Sequence, residues 1–194
     1  KSRVDREQLK SRSHIVMADV ESGELREFTG GDADALPRWS PDAASLAFLR
    51  TDDAQKKQIW VMPTGFGEGR AITGRPGGVS DFEWSPDSSR IVFQSSVDPR
   101  DEDPNSHLKS VVVNRLRYKA DGFGLLGNGR VHLFTINADG SEENQITEGN
   151  FDNYGPAWSP EGARVAFISA RHPNREWQSR TELYVVDVTG GQPE

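Results

Sequence analysis

The 194-residue chain contains no cysteine. Disulfides, thiolate metal sites and thiol catalysis are thereby excluded, while the redox compartment stays open. Methionine is nearly as scarce, with two residues. No apolar run approaches the roughly 18 residues that a membrane-spanning helix needs. No segment carries a helical period, so very little helix is expected. No export signal is visible near Lys1, and a cytoplasmic location is the expectation. Basic residues are in the minority: 23 Lys and Arg against 30 Asp and Glu leave a net charge of −7, which argues against a general nucleic-acid binder. What remains is ordinary for a folding chain with a modest core: 34% apolar residues, 27% charged residues and 19 glycines.

The dominant positive signal is internal repetition, which decides fold class before any local reading does. Arg38-Trp39-Ser40-Pro41-Asp42 recurs as Glu83-Trp84-Ser85-Pro86-Asp87 and as Ala157-Trp158-Ser159-Pro160-Glu161. Each copy precedes a short apolar run: Leu46–Leu49, Ile91–Phe93 and Val165–Ile168. A second unit recurs as His14–Met17, Gln58–Met62, His132–Ile136 and Leu183–Val186. A third closes three copies, at Phe28-Thr29-Gly30, Ile72-Thr73-Gly74 and Ile146-Thr147. In Ser-Pro-Asp/Glu, proline suits the second position of a type I turn. The tryptophan then ends the preceding strand, and the run of β-formers after the turn is a strand buried on both faces. Asp139-Gly140 is a strong hairpin signal. Each copy is thus three or four short antiparallel strands.

Successive repeat tryptophans lie 45 and then 74 residues apart. The first spacing matches one propeller blade, about 40–45 residues of four strands. The second is one blade plus about 29 residues, placed at 97–129. The expected fold is all-β, a partial β-propeller of about 3.5 four-stranded antiparallel blades. Residues 1–34 end one blade, 35–78 form a blade, 79–152 form a blade carrying the insert 97–129, and 153–194 form an incomplete blade. The chain reads as an arc of a larger ring.

These repeats resemble two propeller families, the Tol-Pal translocation protein and the prolyl oligopeptidase family of serine peptidases. The insert favours the second. Val113-Asn114-Arg115-Leu116-Arg117-Tyr118-Lys119-Ala120-Asp121-Gly122, with Gly124 and Val131–Phe134, is similar to a segment of the acylaminoacyl-peptidase branch. That resemblance implies a non-catalytic propeller region that gates and positions short peptide substrates for an α/β-hydrolase domain. The Gly-x-Ser-x-Gly elbow of such a hydrolase does not occur here, so no catalytic residue is assigned within the chain. A Tol-type interaction scaffold is the alternative.

The substrate-binding candidates are Arg115, Arg117, Tyr118 and Lys119. In an extended segment the three cations share one face, with Leu116 and Tyr118 on the other. They could hold a substrate carboxylate or peptide carbonyls, or they could be a solvated strand face with structural ion pairs. Gly122-Phe123-Gly124-Leu125-Leu126-Gly127 has a dinucleotide-loop spacing, but a strand and no helix follows it, so a loop is expected and no cofactor. Asp98–Pro104 lacks the ligand spacing of a calcium loop. His14, His107, His132 and His172 form no metal-ligand pair, and His132 is expected at a solvent-facing or blade-edge position. Trp39, Trp60, Trp84 and Trp158 are expected to fill space between blades. Trp177 falls off the repeat and is expected in a loop.

The expected partners are the hydrolase domain and short peptides, with no nucleic acid and no membrane. An open arc leaves apolar terminal faces and strand edges uncovered, so a homo-oligomer is also expected. Light scattering of the purified chain at micromolar concentration should therefore give a dimer or larger species, and a sharp monomer peak would count against it.

Overall fold

The computed structural model describes residues 2–5, 10–65, 67–98, 116, 119–120, 124–125, 128–178 and 180–194. The described residues form strands and turns without a helix, and the fold is an all-β partial propeller. The chain divides into two compact units, Lys1–Gly74 and Arg75–Glu194.

In the first unit, β1 (Ser2–Asp5) pairs with β2 (Lys10–Ser13), and β3 (Val16–Ala18) pairs with β4 (Leu25–Glu27). A four-stranded antiparallel sheet follows in chain order: β5 (Asp34–Trp39), β6 (Ser45–Thr51), β7 (Lys57–Pro63) and β8 (Arg70–Ala71). In the second unit, β9 (Val79–Trp84) and β10 (Arg90–Val97) precede a two-stranded ribbon of β11 (Lys119–Ala120) and β12 (Gly124–Leu125). The sheet then resumes with β13 (Arg130–Asn137) and β14 (Asn144–Gln145), in the spatial order β14-β13-β10-β9. A three-stranded sheet closes the unit: β15 (Asn153–Trp158), β16 (Arg164–Ser169) and β17 (Glu182–Asp187). Alongside β17, Glu194 and Val185 exchange both backbone hydrogen bonds, at 2.9 and 3.0 Å.

The repeated turn explains its own residues. The carbonyls of Ser40, Ser85 and Ser159 accept the N–H three residues on, at 2.8, 2.9 and 2.9 Å, which puts proline second in each turn. The fourth residue takes a left-handed conformation: Ala43 (φ 59°), Ser88 (φ 62°) and Gly162 (φ 70°). Only the third copy uses the residue type for which that conformation is unstrained. Each serine hydroxyl also accepts the amide at the start of the next strand, from Ser45 (2.9 Å), Arg90 (2.9 Å) and Arg164 (3.0 Å). The acidic residue holds that hydroxyl in place. Asp87 accepts from Ser85 Oγ and from Ser89, and these bonds lower its pKa to about 2.

The threonine of the third repeat unit is a strand clamp. Thr29, Thr73 and Thr147 Oγ1 accept the backbone N–H of Ile15 (3.0 Å), Ile59 (2.9 Å) and Leu133 (2.9 Å). The residue before each threonine donates its own N–H to the carbonyl of the same partner. Two bonds thus tie the outer edge of the sheet to its neighbour, where an unpaired buried amide would otherwise be costly.

Packing follows the same repeat. Cross-strand aromatic pairs centre the sheets: Phe48 opposite Trp60, Phe93 opposite Phe134 with ring centroids 5.3 Å apart, and Phe167 opposite Tyr184 at 5.9 Å. In the second unit, Val92, Leu133 and Ile146 of one sheet form a single core with Val165, Phe167 and Val186 of the next. In the first unit, Ile15, Leu46 and Phe48 are buried together, with Phe28, Trp60 and Met62 packed against them.

Trp39 and Ile168 depart from the sequence expectations in their burial. Trp84 is buried and Trp158 donates its indole N–H to the Glu83 carbonyl (3.1 Å), but Trp39 is 49% exposed. Trp39 and the short β3–β4 hairpin border a cleft of about 660 Å³, lined by Met17, Arg26 and Pro37 among others. The strand Val165–Ile168 was expected to be buried on both faces. Val165 and Phe167 are, but Ile168 is 42% exposed and its cross-strand neighbour Leu183 70%. The covering sheet packs on one face only.

Replacing Thr147 by valine keeps the shape and removes the acceptor for the buried Leu133 amide. The expected cost is about 1–3 kcal/mol in urea unfolding, because the amide is left unpaired. Thr147→Ser, which keeps the hydroxyl, should lose less.

Candidate functional site

Of the residues singled out from sequence, Arg115, Arg117 and Tyr118 lie outside the described residues. Lys119 opens β11 opposite Leu125 and its side chain is exposed. Gly124 lies in β12, while Gly122, Phe123, Leu126 and Gly127 also lie outside, as do His107 and residues 99–104. Trp177 is 77% exposed, in the loop between β16 and β17.

The structure instead assembles a polar cluster in the second unit, where β13 and β15 begin and the loop after β16 turns back. Arg130 is buried and donates from Nε to Asn150 Oδ1 (2.6 Å), with Asp152 and Glu176 carboxylates at 3.8 and 3.9 Å from its terminal nitrogens. Asp152 also accepts the Val131 amide (2.9 Å). Asn153 is fully buried and is fixed by its surroundings. Its Nδ2 donates to the carbonyls of Val131 (2.9 Å) and Phe151 (3.2 Å), and its Oδ1 accepts from Arg171 Nη2 (2.8 Å).

His132, expected at an exposed edge, is 6% exposed. Its repeat position places it beside the threonine clamp, because it immediately precedes the residue that the clamp holds. Nδ1 lies 3.4 Å from Thr147 Oγ1 and 3.5 Å from Asn153 Nδ2, a group that only donates, so Nδ1 acts as the acceptor. Gln58 occupies the same position in the first unit, where its Oε1 accepts from Thr73 Oγ1 (2.9 Å). Burial is the main cause that holds the His132 pKa below 6.5. Asp152 and Glu148 oppose it, and Arg171 and Arg130 add to it.

Each aromatic pair carries an arginine. Arg50 lies 5.1 Å from the Phe48 ring and 4.6 Å from Trp60, Arg75 lies 4.2 Å from Phe134, and Arg171 lies 5.5 Å from Phe167 and 5.3 Å from Tyr184. The first two are neutralised. Arg50 forks onto buried Asp34 (2.7 and 2.9 Å), and Arg75 pairs with Glu143 (3.0 Å). The third meets the neutral amide of Asn153, which stands where Asp34 stands in its own copy, five residues before the repeat tryptophan. Burial lowers the Arg171 pKa, and the Tyr184 phenol is the one group opposing this. The Asp34/Asn153 difference is visible in the aligned repeats. The arginines are not, because Arg50 and Arg171 follow their repeat tryptophans at different distances and Arg75 precedes Trp84.

Arg171 also borders a cleft of about 380 Å³, lined by Asn144, Gln145, Glu148, Thr189, Gly190 and Gln192 among others. Among the described residues, no group of three His, Asp or Glu side chains is placed to hold a metal ion.

Changing His132 to glutamine, as at position 58, provides the check on this cluster. The neutral ring is favoured more in the folded chain than in the unfolded one. Its contribution is complete above about pH 6.5 and is lost as pH falls below that value through the folded-state pKa. His132→Gln should therefore flatten the decline of the urea midpoint below pH 6.5. An unchanged slope would remove His132 as its source.

No protein-family model matches the chain. The uncharacterized peptidase YuxL of Bacillus subtilis is 30% identical over 193 residues, 96% of this chain and 29% of that protein. The acylaminoacyl peptidase of Pyrococcus horikoshii matches structurally with a TM-score of 0.72 and 19% identity, over 100% of this chain and 29% of its own. The putative TolB from Agrobacterium tumefaciens matches with a TM-score of 0.64 and 22% identity, over 100% and 58%. At these structural identities the likeness is one of fold. The chain spans about 29% of the peptidase relative's length. It is a stretch of β-propeller, a fold that it shares with acylaminoacyl peptidases.

Proposed function

Starting from a propeller whose fold acylaminoacyl peptidases share, we propose that this chain is the non-catalytic part of a serine peptidase of the prolyl oligopeptidase family. It gates and positions short peptides for a hydrolase domain outside the chain. The observation that carries this reading is the alignment along 96% of the chain with a peptidase more than three times as long. The insert supports it, since Val113–Gly122 resembles that branch and interrupts an otherwise regular blade. A second reading is a Tol-type scaffold for protein–protein contacts, favoured by the likeness to the putative TolB.

In this reading Arg115, Arg117 and Lys119 offer cations to a substrate carboxylate or peptide carbonyls, and Tyr118 a phenol. None of them does covalent chemistry. The purified chain should give no turnover of an acetyl-alanyl chromogenic substrate. In the full-length peptidase, Arg115→Ala with Arg117→Ala should raise KM several-fold with kcat little changed, the signature of lost substrate binding. An unchanged KM would return these residues to a structural role, and turnover by the chain alone would mean a catalytic site within it.

A further inference from the structure

We propose that the cleft beside Arg171 is a binding site for the free carboxylate of a short peptide. The argument rests on a broken pattern. Three aromatic pairs each carry an arginine, and two of those arginines meet a carboxylate, Asp34 for Arg50 and Glu143 for Arg75. Arg171 has one hydrogen-bond acceptor, the neutral Asn153 Oδ1, and its Nε is buried without a partner among the described residues. A half-buried guanidinium without an anion is costly, and a planar carboxylate is the group that its fork of donors fits. Arg171 is held in place by Phe151 (4.8 Å), Phe167 and Tyr184, so little side-chain order is lost on binding.

The surroundings fit a peptide better than a bare anion. The cleft has a volume of about 380 Å³, within the range of small-ligand pockets. Asn144, Gln145 and Gln192 bring amides that both donate and accept, and Gly191 lies on the wall with open space where a Cβ would stand. Arg175 stacks 5.0 Å from the same Phe151 ring, with a buried Nε that is likewise unpartnered among the described residues, and adds positive potential. Glu148 is the one carboxylate on the cleft wall and is exposed. It opposes the ligand's charge and weakens binding. This inference rests on the peptide-handling reading above and names a second point of contact for the peptide.

Calorimetric titration of the chain with N-acetyl-Ala-Ala carrying a free carboxylate should give binding, and the same dipeptide as its C-terminal amide or acetate alone should bind at least tenfold more weakly. Arg171→Gln should weaken binding of the acid about tenfold or more. Glu148→Gln should strengthen it roughly threefold by removing a like charge. In a ¹⁵N spectrum the Arg171 Nε–H signal should move on addition of the acid. Arg171 also packs on three rings, so its loss can perturb the fold. Glu148→Gln and the spectral shift leave that packing intact and carry the test by themselves. Equal binding of acid and amide, or an acid affinity indifferent to Glu148 with no Arg171 shift, overturns the site. Binding of the amide would still leave the peptide-handling reading standing, whereas Arg115 and Arg117 variants with unchanged KM would strike at that reading and leave this cleft untouched.

Discussion

A blade of four short strands has two faces to cover and too little material to cover either alone. In the second unit the solution is one sheet's inner rows, Val92, Leu133 and Ile146, set against the next sheet's Val165, Phe167 and Val186. Six fully buried aliphatic and aromatic side chains, each contributing about 1.5–3 kcal/mol, hold two sheets that would be marginal apart. Everything polar in the structure is arranged around that requirement. The turns must be tight, the strands short and the edges tied, and the repeat supplies a residue for each. Serine anchors the turn, proline sets its φ, and threonine ties the outer edge.

The cost of this economy appears where aromatic rings and buried amides crowd together. An arginine lies on each central aromatic pair, which brings positive charge into a half-dry setting. Asp34 and Glu143 neutralise it in two instances. The third leaves the charge on Arg171 facing Asn153, with burial lowering the pKa of His132 alongside. A structural pattern that is complete twice and incomplete once, at the edge of a cleft, is how a scaffold acquires a recognition site without changing its fold.

The same logic bears on the division of labour proposed for the chain. In that proposal the propeller stretch contributes selection and orientation, and the covalent steps belong to the hydrolase domain. The cations expected on the insert and the cleft proposed at Arg171 would each address the charged or polar ends of a peptide. Peptidase and Tol-type propellers share the blade, so the blade itself does not distinguish them.

The fold was legible in the residues because the repeat is redundant. Three copies of Trp-Ser-Pro-Asp/Glu, a strand of β-formers and a closing threonine make one pattern that chance does not produce, and each of its residues has a local reason. The burial of His132 and the half-exposure of Trp39 were not legible, since both depend on what lies opposite. His132 is covered by a threonine clamp 15 residues away, and Trp39 faces a hairpin with only three residues per strand. The Arg171 site was hidden for the same reason. Its guanidinium, its amide partner and its aromatic supports come from three separate stretches of chain, 151–153, 167–171 and Tyr184, and the antiparallel pairing of β15, β16 and β17 brings them together. Local patterns thus fixed turns, strands and blades, whereas charge left without a counter-ion is a property of neighbours, and neighbours are decided by packing.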